Sequence, residues 1–154
     1  MILMEKFNKA AISYDEYSKI QSMTARQLFE YNPMSHPSSI LDIGCGTGHL
    51  TKYFAEKFPK STIEAIDTSQ NMIQELERLE AKNIHTECTD FFKMDVSKKY
   101  DLIISNAALH WMDINQSLHQ IAQQLQAKGT ALLAIFGSKT SIELQSLVPT
   151  IRKN

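Results

Sequence analysis

Three glycines stand at alternate positions in Asp42-Ile43-Gly44-Cys45-Gly46-Thr47-Gly48, and an acid, Asp67, follows about twenty positions later. Glycine has no Cβ, so such a turn lets backbone approach a ligand closely and takes positive φ at little cost. The first N–H groups of a following helix have no partner within it and point at whatever the turn holds. A carboxylate at the end of the next strand accepts hydrogen bonds from ribose hydroxyls in nucleotide-binding folds. Together these residues describe a cradle for a nucleoside-bearing ligand. A tight strand-to-helix turn beside an unrelated surface acid uses the same residue types, but here strand, spacing and acid agree. The dinucleotide fingerprint is G-x-G-x-x-G, whereas this chain has its third glycine one place early, which counts against a nicotinamide dinucleotide.

The elements that must carry this turn alternate along the chain. Apolar runs at 40–43, 61–67, 84–88, 100–105 and 130–136 are separated by helical periodicity, the pattern of a mostly parallel sheet covered by helices on both faces. The first helix is expected to open at Ser13, where Ser13-x-x-Glu16 makes a capping box, and to carry Tyr17, Ile20, Leu28 and Tyr31 along one side until Asn32-Pro33 ends it. Leu50, Tyr53, Phe54 and Phe58 mark the next helix, stopped by Pro59. Ser69 opens a third whose inner face is Met72, Ile73, Leu76 and Leu79, with Asn83 as its stop. A fourth bears Ile114, Leu118, Ile121 and Leu125 and is closed by Lys128-Gly129. Thr140-x-x-Glu143 caps a last short helix with Leu144, Leu147 and Val148.

A chain of 154 residues predicts one domain, 1–154, divided here into an N-terminal helical segment, 1–36, and a core, 37–154. With 43% apolar and 21% charged residues it reads as an ordinary globular protein. A net charge of -1 provides no electrostatic footprint for nucleic acid or an anionic membrane. The longest apolar run, 131–136, is far below the ~20 residues of a membrane-spanning helix. The start of the chain turns acidic at Glu5 before a signal-peptide core can form, so export is not expected. Two cysteines, Cys45 and Cys88, are too few and too differently placed for a metal cluster or a disulfide framework; no metal is expected, and a reducing, cytoplasmic setting fits.

The segment Leu41-Asp42-Ile43-Gly44-Cys45-Gly46-Thr47-Gly48 resembles motif I of the class I S-adenosylmethionine-dependent methyltransferases. Ala65-Ile66-Asp67-Thr68-Ser69-Gln70-Asn71-Met72 is similar to that family's second motif, a resemblance that puts Asp67 on the ribose and Met72 on the adenine. Asp90 with Phe91 resembles the pair that borders adenine, and Ser105-Asn106-Ala107-Ala108-Leu109-His110-Trp111 the segment that faces the methionine part and the reacting methyl. The resemblance implies a Rossmann-like α/β three-layer sandwich and S-adenosyl-L-methionine as cofactor. Its implied binding residues are Asp42, Gly44, Cys45, Gly46, Gly48, Asp67, Thr68, Met72, Asp90, Phe91, Asn106 and Ala107. Family members have a seven-stranded sheet ordered 3-2-1-4-5-7-6; here the order 3-2-1-4-5 is expected, with the final hairpin strands missing.

Within the family the chain resembles in particular the malonyl-acyl-carrier-protein O-methyltransferases of biotin synthesis. The residues that carry this are Phe7-Asn8-Lys9-Ala10-Ala11-Ile12-Ser13-Tyr14-Asp15, the 105–111 segment, which the trans-aconitate methyltransferases share, and Phe136-Gly137-Ser138-Lys139-Thr140-Ser141-Ile142-Glu143-Leu144. The implied acceptor is a carboxylate, on malonyl-acyl-carrier protein or malonyl-CoA. A carboxylate of pKa near ~4 is already ionised at neutral pH and requires no general base. His110, as a hydrogen-bond donor to that carboxylate, and Tyr14, as a boundary of the methyl channel, are the candidate catalytic residues. Other readings are a trans-aconitate-like methyltransferase of small carboxylates, a binder of S-adenosylmethionine without turnover, and a nicotinamide-dependent oxidoreductase. Strand five, 130–136, has no charge, proline or bulge to blunt its edge, so self-association through it, or burial under 141–148, is expected.

Overall fold

The structure is a computed structural model in which residues 19–137 are described. Helix α1 (Lys19–Glu30) leads into β1 (Ser39–Ile43), α2 (His49–Lys57), β2 (Thr62–Asp67), α3 (Gln70–Glu77) and β3 (Ile84–Cys88). Then come β4 (Tyr100–Asn106), α4 (Ile114–Gln124) and β5 (Leu125–Ala134), with short 3-10 turns at Phe91–Lys93 and Leu109–Trp111. The five strands are all parallel in the order β3-β2-β1-β4-β5, as expected.

Central strands of a parallel sheet are covered on both faces, which is why β1 and β4 are nearly continuous runs of buried side chains. Neighbouring residues point to opposite faces. Ile40, Ile63, Leu102 and Ile104 meet Ala25 of α1 and Leu50, Phe54 and Ala55 of α2 on one side. Leu41, Ile43, Ile66 and Ile103 meet Phe91, Leu109 and Ile121 of α4 on the other. Helix α3 packs Ile73 and Leu76 on Ala65. Complete burial of each such Leu or Ile contributes roughly 1.5–3 kcal/mol, and these layers hold the strand ends that build the site.

Several sequence expectations are corrected. Helix α3 stops at Glu77 with Arg78 as its C-terminal cap, and Glu80 takes a positive φ of 49°. Leu79 is therefore exposed, and Asn83 is not a helix stop: its Nδ2 donates to the carbonyls of Ala55 and Phe58. Helix α4 ends at Gln124, and β5 begins at Leu125 with no loop between them. Lys128-Gly129 thus lies inside the strand, where a register shift between Tyr100 and Leu102 absorbs the extra residues. Gly129 fits there because a side chain would crowd the carbonyl oxygens of Tyr100 and Asp101. The strand ends at Ala134 rather than at Phe136. Leu118 points outward while Ser117, Gln120, Ile121 and Gln124 are buried, so the inner face of α4 is rotated from the apolar stripe. Tyr31 lies past the end of α1 and is exposed. The expected helix start at Ser13, with Tyr14 and Tyr17, and the helix at 140–148 lie outside the described residues. Among the described residues no helix is long and apolar enough to cross a membrane.

Candidate functional site

The three glycines of the turn all have positive φ: 68° at Gly44, 55° at Gly46 and 90° at Gly48. Gly44 and Cys45 donate their N–H groups to the Ile66 carbonyl at 2.9 and 3.0 Å, which draws the turn toward β2. Their reasons for lacking a Cβ differ. A methyl group on Gly44 would overlap Ala108, and one on Gly48 would overlap Leu76, whereas Gly46 faces open space. Gly44 and Gly48 permit close packing; Gly46 leaves room for a ligand.

Asp67 fastens the turn to the next helix. Its Oδ2 accepts from Gly46 N at 3.0 Å and its Oδ1 from Ser69 N at 2.8 Å. Burial pushes its carboxyl above the ordinary value, against the lowering effect of these backbone bonds. Ser69 caps α3, its Oγ accepting from Met72 N. This keeps Met72 buried beside the acid.

A cleft of about 600 Å³ opens at the C-terminal ends of the strands, where parallel α/β sheets hold their ligands. It brings together Gly44, Gly46, Asp67, Thr68, Met72, Asp90, Phe91, Asn106 and Ala107. Asp90 caps the turn that presents Phe91, accepting from Phe92 N at 3.0 Å. Ala107 holds a φ of 55°, rare for a residue with a Cβ, and donates its N–H to Ala134 O. Asn106 donates Nδ2 to the Gln21 carbonyl at 2.8 Å while its buried Oδ1 has no partner among the described residues.

The remaining candidates fall elsewhere. Gly48 is the N-terminal cap of α2, outside the cleft lining. Asp42 and Cys45 line a separate cavity of about 30 Å³ under the turn, with Asn106 and His49. Burial pushes the Cys45 thiol well above its usual value. His110 does not line the cleft: its ring lies tilted against those of Trp111 and Phe136, with centroids 4.7 and 4.9 Å away, and both of these do. Its buried Nδ1 has no partner among the described residues, and burial lowers its pKa, favouring neutral imidazole. Tyr14 lies outside the described residues.

Residues that the motifs missed include Gln21, Thr89, Phe92, Met112, Asp113 and Phe136. Thr89 directly follows β3 and Phe136 closely follows β5, so the rule that ligands sit beyond strand C-termini was the signal that could have found those two. Gln21 lies on α1, and nothing in its neighbourhood of sequence ties it to the turn.

Asp42 is 1% exposed, accepts from Thr51 Oγ at 2.6 Å, and is pushed up from 3.8 to about 7, chiefly by burial. The folded state therefore holds a proton that the unfolded state has released between these values, and stability falls as pH rises from about 4 to 7. Asp42→Asn keeps the size and an acceptor for Thr51 without the charge. The expected result is a melting temperature that declines less across this range than in the parent, leaving the variant the more stable protein at pH 8. Parallel melting curves for the two proteins would remove Asp42 as the source of the slope.

Glycine turn, strand-end acid and cleft together define a parallel α/β fold with an open cleft at the C-terminal ends of its strands. Residues 40–129 match the family described as Methyltransferase domain, and the chain belongs to that family. It is 35% identical over 156 residues to a malonyl-acyl-carrier-protein O-methyltransferase of Acetivibrio thermocellus, covering 99% of this chain and 55% of that one. It is also 35% identical over 150 residues to a Priestia megaterium protein of the same name, covering 94% and 55%. The chain thus spans about half the length of the curated relatives it matches. The structure of the plantazolicin methyltransferase BpumL in complex with SAH shares the fold, with a TM-score of 0.66 at 23% identity over 94% of this chain and 55% of that one.

Proposed function

We propose that the cleft binds S-adenosyl-L-methionine and aligns a carboxylate, the free carboxyl of a malonyl group on acyl-carrier protein or coenzyme A, to receive its methyl group. The observation that carries this reading is the convergence of Gly46, Asp67, Met72, Asp90 and Phe91 on one cleft, in a chain whose relatives over nearly its full length are named malonyl-acyl-carrier-protein O-methyltransferases. The cleft fits the ligand. Its volume suits a small-molecule site, and the Oδ1 of Asn106 beside the glycine turn, without a partner among the described residues, is an acceptor for a cationic amino group. Asp67 would take the ribose hydroxyls, Met72 and Phe91 the faces of the adenine, Asp90 its amino group, and Gly44, Asn106 and Ala107 the methionine end.

When bound, the sulfonium supplies a methyl carbon that a carboxylate oxygen displaces in line, the C–S electron pair staying on sulfur. The acceptor arrives ionised, so the protein's task is to orient it and exclude water. Trp111, Met112 and Phe136 provide an apolar wall for this, and His110 acts by holding Trp111 and Phe136 rather than as the expected donor to the carboxylate. Calorimetric titration with S-adenosylhomocysteine and NAD in parallel tests the ligand: binding of the first alone is expected, and binding of NAD alone would favour an oxidoreductase. Radiolabelled methyl transfer then tests the acceptor. Ester formation on malonyl-acyl-carrier protein or malonyl-CoA is expected; transfer only to trans-aconitate, or binding without transfer, would overturn the malonyl acceptor.

The same reading includes a single domain in a reducing, cytoplasmic setting. It also includes association of two copies through 130–134 of β5, one of the two edge strands among the described residues. The earlier part of the strand, which the sequence reading did not place in it, is blunted by Lys128 and the register shift. Light scattering should show mass rising with concentration. A monodisperse monomer whose β5 amides exchange as slowly as those of β1 would mean that the edge is covered instead.

A further inference from the structure

Helix α4 turns amides toward the sheet. Gln120 is 8% exposed and Gln124 is fully buried, positions at which an unbonded amide is unfavourable. Gln120 Nε2 donates to the Phe91 carbonyl at 2.6 Å and lies 3.4 Å from Gln124 Oε1. Gln124 Nε2 in turn donates to the Asp95 carbonyl at 3.3 Å. Both acceptors sit on the connection between β3 and β4 that supplies Thr89, Asp90, Phe91 and Phe92 to the cleft. Other hydrogen bonds of 90–95 are internal to this connection: Asp90 with Phe92 and Lys93, Phe91 with Met94, and Asp95 with Ser97 and Lys98. Thr89 N donates to the Asp67 carbonyl at 2.9 Å where the connection leaves β3. Beyond that point, among the described residues, the two glutamines provide the hydrogen bonds that fix 90–95 to the body of the protein.

We infer that Gln120 and Gln124 are positioning residues: through the carbonyls of Phe91 and Asp95 they set the wall formed by Asp90 and Phe91, and with it affinity for the adenosine end of the methyl donor. This inference rests on the reading of the cleft given above. Gln120 never touches the ligand space, yet a shift of the Phe91 carbonyl carries the neighbouring ring and the Asp90 cap with it. An aliphatic residue at 120 would fill the same volume and leave the carbonyl of Phe91 with only its local bond from Met94.

Gln120→Met and Gln124→Met, which keep side-chain length and remove the donor, provide the test. Calorimetric titration of Gln120→Met should show S-adenosylhomocysteine and adenosine each bound about tenfold more weakly, by a common factor. Amide protection at 92–95 should fall with them, and the melting temperature should stay within a few degrees of the parent. Gln124→Met, farther from Phe91, should move the same readouts less, and it decides the matter if Gln120→Met does not fold. A merely structural role would lower the melting temperature and leave both dissociation constants of the folded protein unchanged, which would overturn the inference. So would unchanged exchange at 92–95. Parent protein that binds neither ligand would instead overturn the methyl-donor reading and the affinity role that rests on it.

Discussion

Asp67→Ala should weaken binding of S-adenosylhomocysteine by a hundredfold or more, the largest loss expected from any single side chain of the cleft. The carboxylate serves on two fronts. It accepts the N–H groups of Gly46 and Ser69, and so fastens the glycine turn to the start of α3; in the proposed complex its remaining lone pairs take the ribose hydroxyls. Hydrogen bonds to a charged acceptor contribute about 1.5–3 kcal/mol each, so loss of the ribose bonds together with a loosened turn corresponds to roughly 3–4 kcal/mol. Asp67→Asn keeps the shape but turns an NH2 toward one backbone donor, and an intermediate affinity is expected. Because burial holds this carboxyl above its ordinary value, affinity should begin to fall at a higher pH, on acidification, than an exposed aspartate would dictate. A dissociation constant unchanged by Asp67→Ala would remove the residue from the site.

Gly44→Ala should cost the fold itself about 2–4 kcal/mol. A φ of 68° disfavours any residue with a Cβ, by about 1 kcal/mol, and the added methyl would overlap Ala108, whose own Cβ is fixed to the backbone beside β4. At about 2–4 °C per kcal/mol for a chain of this size, the melting temperature should drop by roughly 5–15 °C. Gly46→Ala is the contrast. It carries similar backbone strain but meets nothing within 4 Å, so it should melt close to the parent while placing a methyl in the ligand space. Equal melting temperatures for the parent and Gly44→Ala would contradict the packing described for the turn.

The glycine turn was legible in the sequence because its requirements are local. Positive φ selects glycine at each of three places, and Asp67 lies two residues before the Ser69 cap, so strand end, acid and helix start come as one unit. The strand order likewise follows once the chain is recognised by its motifs. What the sequence concealed depends on neighbours distant along the chain. Leu118 and Gln120 exchange their expected faces on α4 because Gln120 finds the Phe91 carbonyl, which nothing at 114–124 reveals. Asp42 reads as a ligand-binding acid beside the glycines, yet Thr51 and the surrounding core enclose it beneath them. His110 falls within a recognisable segment, but its partner Phe136 arrives from another strand end and turns a candidate donor into the support of an aromatic wall.

The pairing of β1 with β4 also governs the order in which the molecule can assemble. Ser105 Oγ donates to the Ile43 carbonyl and Asp101 accepts from Ser38 N, each across about sixty residues of chain. On a ribosome adding roughly 5–20 residues per second, β1 waits some 3–12 s for its second neighbour. During that interval α1, α2, β2 and then α3 are the helices and central strand that can shelter it, and of their own cluster Leu41 and Ile43 have Ile66 alone until Phe91 is made, Ile103 and Ile121 coming last. Nascent chains paused between residues 70 and 100 are therefore the stage at which this protein most needs a chaperone, and contacts between β1 and β4, rather than local helix formation, should limit its rate of refolding.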